Sequence, residues 1–242
     1  MLVRLYKSFT SPTNVATQRL FKINSADIVE LIGTFFLTGV VIGSGIMAEN
    51  LSQGNDAIAL LGNTISTGAI LFVLIKSFSS VSGAHFNPVV SLVFFIKKEL
   101  PLPTFFKYIM FQFLGAILSV FVIHYYFDQQ LIQISTNFRG KEKLLISEIV
   151  ATFGLITTIL FVRNYNPKDV AASVALFITA GYWFTSSTAF ANPAVTIARM
   201  FTDTFTGIGP SCVVYFIIGQ IIGALLANYF HNKISSGISF HN

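Results

Sequence analysis

Charge is what this chain has least of. Asp, Glu, Lys and Arg together make up 10% of its 242 residues, against 53% hydrophobic ones. A soluble domain of this size carries about a quarter charged residues, so the chain cannot cover a water-facing surface. Its mean hydropathy of +0.71 agrees. A lone cysteine, Cys212, excludes an internal disulfide and any cysteine cluster for metal. No second ligand stands near His85 at a useful spacing, so neither metal nor cofactor is expected. Nucleophile–base pairs and phosphate-binding loops are missing too, which leaves no basis for an enzyme. The first 26 residues hold no apolar core ahead of a small-residue cleavage site, so no cleavable signal peptide is expected. The net charge of +5 is dispersed along loops rather than gathered on one surface, which argues against a nucleic-acid partner.

Long apolar runs are what the chain does have. Six stretches can cross a bilayer as helices, near 27–48, 57–77, 104–126, 144–162, 169–186 and 211–230. The expectation is an all-α, multi-pass integral membrane protein with the lipid bilayer as its surroundings. A basic arm covers 1–26, a membrane domain 27–232 with halves 27–126 and 144–232, and a short tail 233–242. Eleven Lys and Arg fall on the side of the termini, among them Arg4, Lys7, Arg19 and Lys22. Four fall on the other: Arg139, Lys141, Lys143 and Arg199. This bias predicts both termini in the cytoplasm, with a bacterial inner membrane as the expected location.

One tripeptide occurs twice, as Asn87-Pro88-Val89 and Asn192-Pro193-Ala194. Proline suits the first helical position, where its missing N–H costs nothing, and Asn is a leading N-cap. Each triplet therefore starts a helix with an amide at the positive end of its dipole. The triplets belong to a larger repeat. Glu30-Leu-Ile-Gly-Thr-Phe35 matches Glu148-Ile-Val-Ala-Thr-Phe153, and Gln112-Phe-Leu-Gly-Ala116 matches Gln220-Ile-Ile-Gly-Ala224, in the same order. Each half holds three spans, an odd number, so the halves enter the membrane from opposite sides.

Residues 87–97 and 192–202 are too short to span. About ten helical residues, at roughly 1.5 Å each, cover half of a hydrocarbon core about 30 Å thick. They are predicted to be re-entrant half-helices, approached by extended segments at 79–86 and 185–191. Irregular backbone at that depth is tolerated only when buried in protein or lining a wet cavity. Glu30 and Glu148 lie one turn inside the first span of each half, where a carboxylate facing lipid would cost about 2.5–3.5 kcal/mol. Two roles fit them: accepting hydrogen bonds from the re-entrant backbone, or relaying protons in a coupled transporter. The glycines at 33, 39, 43, 115 and 223 read as close helix contacts.

With Ser82-Gly83-Ala84-His85-Phe86-Asn87-Pro88-Val89, the second triplet and the two Glu and two Gln sites in hand, the chain resembles the aquaporin and aquaglyceroporin family over about residues 25–232. The resemblance implies a right-handed barrel of six helices plus two half-helices, a homotetramer with one pore per subunit, and passive conduction of small neutral solutes. It places Asn87, Pro88, Val89, Asn192, Pro193 and Ala194 at the pore midplane and gives His85 a place within its loop.

The chain departs from the family at the outer filter, where most members carry Arg directly after the second triplet and this one has Val195. The other filter positions fall on Thr67, Ala180 (or Gly181, one residue on) and Ala189. All are small and none is aromatic. A wide, weakly polar constriction is expected, suited to polyols or undissociated metalloid acids such as arsenous acid. Arg199, four residues past Val195, has two readings: it supplies the missing cation, or it sits at the surface on lipid phosphate or Asp203. Tyr182-Trp183-Phe184-Thr185 reads as packing or interfacial aromatics. A narrow water-selective pore and a proton-coupled transporter remain as alternatives.

Overall fold

The computed structural model describes residues 22–140 and 142–237. Most of the basic arm, with Arg4, Lys7 and Arg19, lies outside the described residues, as does Lys141. The helices are α1 (Ser25–Leu51), α2 (Asp56–Ser82), α3 (Pro88–Ile96), α4 (Leu102–Tyr126), α5 (Glu142–Tyr165), α6 (Val170–Phe184), α7 (Pro193–Ala198) and α8 (Pro210–Gly237). Five of them are long and apolar enough to cross a membrane. The sixth span, α6, has only 15 residues.

Local chemistry sets the helix ends. Asn24 and Asp27 cap α1 reciprocally: the Asp27 N–H donates to Asn24 Oδ1 at 3.0 Å and the Asn24 N–H to Asp27 Oδ2 at 2.9 Å. The Asn55 side chain caps α2. At its other end α2 runs on to Ser82, three residues past the start of the expected extended approach, and stops at Gly83 in the left-handed region with φ +85. Serines 79, 80 and 82 are helical because the helix can continue until its terminating glycine, leaving only residues 83–87 outside it. The second approach, 185–191, is non-helical as expected.

The two halves are built alike. α1 packs closely on α4 and α5 on α8, and glycine permits both crossings. A Cβ on Gly115 would stand 2.2 Å from the Leu31 carbonyl oxygen, and one on Gly223 would stand 2.5 Å from that of Ile149. A third contact shows the halves compensating for each other's differences. A Cβ on Gly33 would strike the Phe86 ring at 2.0 Å. In the second half the equivalent pair is Ala151 and Ala191, both fully buried, so the smaller loop residue leaves room for the larger helix residue. A second set of apolar residues faces outward along every span, among them Ile65, Phe106, Leu176 and Leu226, as a lipid-facing surface requires.

A re-entrant pore with an arginine at one mouth

The half-helices α3 and α7 meet in the middle of the bundle, with Pro88 and Pro193 buried at their starts. Each Asn does two jobs. Its Oδ1 caps its own half-helix: the Val89 N–H donates to Asn87 at 3.0 Å and the Ala194 N–H to Asn192 at 3.0 Å. Its Nδ2 reaches across the pseudo-twofold, Asn87 to the Ala191 carbonyl at 2.7 Å and Asn192 to the Phe86 carbonyl at 2.8 Å. An amide nitrogen has two hydrogens, so one donor of each Asn is left for the cavity that both residues line.

The backbone before each triplet is held in an uncommon form. Ala84, Phe86, Ala189 and Ala191 have φ of 52, 49, 48 and 47. Such left-handed non-glycine residues cost about 1–3 kcal/mol each and persist only where surroundings over-determine them. Here the buried glutamates do so. Glu30 accepts from the N–H of His85 at 2.9 Å and of Phe86 at 2.7 Å, and from Ser82 Oγ and Gln112 Nε2 at 2.6 and 2.7 Å. Glu148 accepts from the N–H of Phe190 and Ala191 at 3.0 and 2.9 Å and from Gln220 Nε2 at 2.6 Å. Each Gln also donates to its half-helix, Gln112 to Ser91 Oγ and Gln220 to Thr196 Oγ1. Both carboxylates lie behind the loops and outside the lining of the cavity.

The cavity holds about 100 Å³ accessible to water, room for several molecules at about 10–15 Å³ each. Aliphatic side chains dominate its wall, among them Leu37, Val41, Leu71, Leu155 and Ile178. Toward the end with the termini it is lined by His85 and Phe94. His85 Nδ1 lies 3.0 Å from Ser91 Oγ, so the ring is tied to α3 rather than within its own loop. The Arg163 guanidinium stands 4.7 Å from the Phe94 ring centre while pairing with both oxygens of Glu99 at 2.7 Å, and that pairing holds the Glu99 carboxyl below its ordinary range.

At the opposite end Thr67, Ala189, Val195 and Arg199 line the cavity, and Ala180 and Gly181 do not. Ala180 is exposed on the outside of the bundle and Gly181 packs against Ala189. The inward face of α6 is Val174, Ile178 and Tyr182, at helical spacing. Tyr182 is therefore a wall residue, its hydroxyl 3.1 Å from Thr67 Oγ1, while Trp183 and Phe184 are exposed. Phe190 lines the cavity as well. The expectation of a wholly small, non-aromatic wall is corrected by Tyr182 and Phe190, which stand on it beside Thr67, Ala189 and Val195; Tyr182 escaped the ungapped count because that count cannot follow the turn by which α6 faces the lumen. Arg199 is 3% exposed. It makes no pair with Asp203, which instead accepts from the Thr136 N–H at 2.8 Å.

The sequence matches the family model described as Major intrinsic protein over residues 18–180. The chain belongs to the major intrinsic protein family. It is 44% identical to the aquaglyceroporin AqpS of Rhizobium meliloti over 207 residues, covering 86% of this chain and 88% of that one. A putative Arabidopsis thaliana aquaporin, NIP4-1, is 28% identical over 93% of this chain and 77% of its own. The fold matches that of an aquaglyceroporin from Plasmodium falciparum with a TM-score of 0.70 at 21% identity, covering 88% of this chain and 96% of that one. This major intrinsic protein is thus an integral, multi-pass membrane channel for water and small solutes, and not an enzyme.

Proposed function

We propose that this channel passes, besides water, neutral solutes larger than water: glycerol-like polyols and undissociated metalloid acids such as arsenous acid. The observation that carries the reading is Val195 at the position after the second triplet, on the wall of a mostly aliphatic cavity. Water gains nothing from such a wall. A polyol turns its carbon edge to the aliphatic side and its hydroxyls to the two Asn amides and the loop backbone, which replace much of the hydration it leaves behind. Two half-helix N-termini, each carrying roughly half a positive charge, oppose cations at the midplane. Thr67, Ala189, Val195, Tyr182 and Arg199 form the outer constriction in this reading. The AqpS relative, named an aquaglyceroporin and found in a bacterium, supports the solute class and a bacterial plasma membrane. The charge bias supports cytoplasmic termini, and the family a homotetramer. Both glutamates stand behind the loops, which favours passive flow over a proton-coupled cycle.

The test is stopped-flow light scattering on proteoliposomes with water, glycerol, urea and arsenous acid. The wild type is expected to pass glycerol and arsenous acid downhill, unaffected by a proton gradient. Val195→Arg is expected to reduce glycerol flow more than water flow. Equal loss of both, or no loss, overturns the assignment.

A further inference from the structure

Val195 leaves the constriction uncharged next to the triplet, yet two guanidinium groups stand close by. The Arg199 guanidinium lies 3.3 Å from the Phe190 ring centre, and that of Arg139, from the loop between α4 and α5, lies 5.3 Å from the same ring. Phe190 is itself fixed, by its N–H on Glu148 and by an edge-on contact with Phe216 at 4.9 Å. Arg139 has committed donors: Nε to the Gly207 carbonyl at 2.6 Å and Nη2 to that of Phe205 at 3.0 Å. Arg199 gives only Nε to the protein, to the Thr206 carbonyl at 2.5 Å. Among the described residues its two Nη groups have no protein acceptor, and no carboxylate pairs with either arginine. The ion pairs there are Lys107 with Asp27 and Arg163 with Glu99. A buried guanidinium without a counter-ion needs other compensation. The aromatic face and the carbonyl supply part of it, and the free Nη groups belong to a residue on the cavity wall.

We propose that Arg199 is the cation of this constriction, supplied one helical turn past Val195. Phe190 and Arg139 hold it in place, and its two free Nη groups grip two neighbouring oxygens of a passing solute together. The fork of a guanidinium fits paired oxygens and a point charge does not. The favoured solutes are then vicinal diols and oxyacids bearing adjacent hydroxyls, in their neutral forms. Thr67 donates to the Asn63 carbonyl at 2.9 Å and so accepts from the Tyr182 hydroxyl, which leaves oxygen lone pairs on the same wall to accept from a third solute hydroxyl. Arg139 is a positioning residue: it acts through Phe190 and the 205–207 backbone, which makes the loop joining the two halves part of the selectivity apparatus.

This rests on the channel reading above, and the test keeps the two apart. Permeabilities of propylene glycol, whose oxygens are adjacent, and of its isomer trimethylene glycol, whose oxygens are not, are measured in proteoliposomes, with water flow as the check on folding. Sodium entry is followed by a potential-sensitive dye. The wild type is expected to favour propylene glycol. Arg199→Lys keeps the charge and loses the fork, so the ratio is expected to fall roughly 2- to 10-fold, the range of one net hydrogen bond, with sodium still excluded. Arg199→Met is expected to lower the ratio equally and to admit sodium. Arg139→Met, with Arg199 intact, is expected to lower the ratio without admitting sodium. An unchanged ratio in both Arg199 variants, with water and diol flow retained, overturns the proposal and leaves the channel reading standing. A wild type that passes water and neither diol overturns both.

Discussion

Glu148→Gln separates the two roles open to the buried carboxylates. In the structure Glu148 Oε1 takes the Phe190 N–H and Oε2 takes the Ala191 N–H and Gln220 Nε2. Replacing one oxygen by an NH2 group turns a donor toward a donor. Gln220 can adapt, because its own Oε1 has no partner and can accept from the new amide after a flip. The backbone cannot: whichever of the Phe190 and Ala191 N–H groups faces the NH2 is orphaned in a fully buried site. Losing a hydrogen bond to a charged group costs about 1.5–3 kcal/mol, and an unsatisfied buried donor about 1–3 kcal/mol. These overlap, so the sum expected is about 2–4 kcal/mol, a large share of a net stability of about 5–15 kcal/mol. For a chain of this size each kcal/mol moves Tm by about 2–4 °C, which gives a fall of roughly 4–16 °C. Cys212 provides the assay: it is the only cysteine and fully buried, so a thiol-reactive fluorophore reports unfolding in detergent from one place. Glycerol flux per folded channel is measured in parallel, with and without a proton gradient. A variant with an unchanged Tm that abolishes a gradient-dependent flux would refute the loop-support argument and restore the proton relay.

Asn192→Asp keeps an oxygen to cap α7 but sets a carboxylate oxygen against the Phe86 carbonyl, where Nδ2 now donates. Neutral-solute flow is expected to fall, or sodium to enter, in the dye assay; unchanged flux and selectivity would remove Asn192 from the pore. Gly223→Ala places a Cβ 2.5 Å from the Ile149 carbonyl oxygen and 3.0 Å from the Phe153 nitrogen, so two helix backbones must part, at about 1–3 kcal/mol. Gly39→Ala is the control. Its Cβ meets only Ile123 and Ser119 side chains, at 3.4 Å and beyond, and the gain in helix propensity, about 1 kcal/mol, makes it neutral or stabilising in the same thiol-protection melt.

Much of the architecture was legible because the bilayer is a severe solvent. A chain with 10% charge must satisfy its backbone internally, so apolar runs mark spans. Asn and Pro mark helix starts by chemistry that needs no neighbours, and the structure shows Asn24, Asn55, Asn87 and Asn192 all capping helices. The wall near Val195 was less legible. Counting outward from the triplets reaches Thr67, Ala189 and Val195 on the cavity lining but falters on α6. There the apolar spacing of Val174, Ile178 and Tyr182 was the available signal for Tyr182, and the aromatic run after it obscured that signal. Arg139 gave no such signal, since a basic residue in a loop between spans reads only as topology.

The sequence by itself determined the spans, the two half-helix starts and the inverted repeat, because each depends on local hydrophobicity, capping or internal matching. Only the tertiary structure decided which side chains reach the lumen and which stand behind it. It put Glu30 and Glu148 on the backbone of loops more than forty residues away, turned Tyr182 inward and Ala180 out, and brought Arg139 and Arg199 to one phenylalanine ring. Those outcomes depend on helix rotation and loop handedness, which burial and hydrogen bonding settle across the whole bundle rather than along the chain.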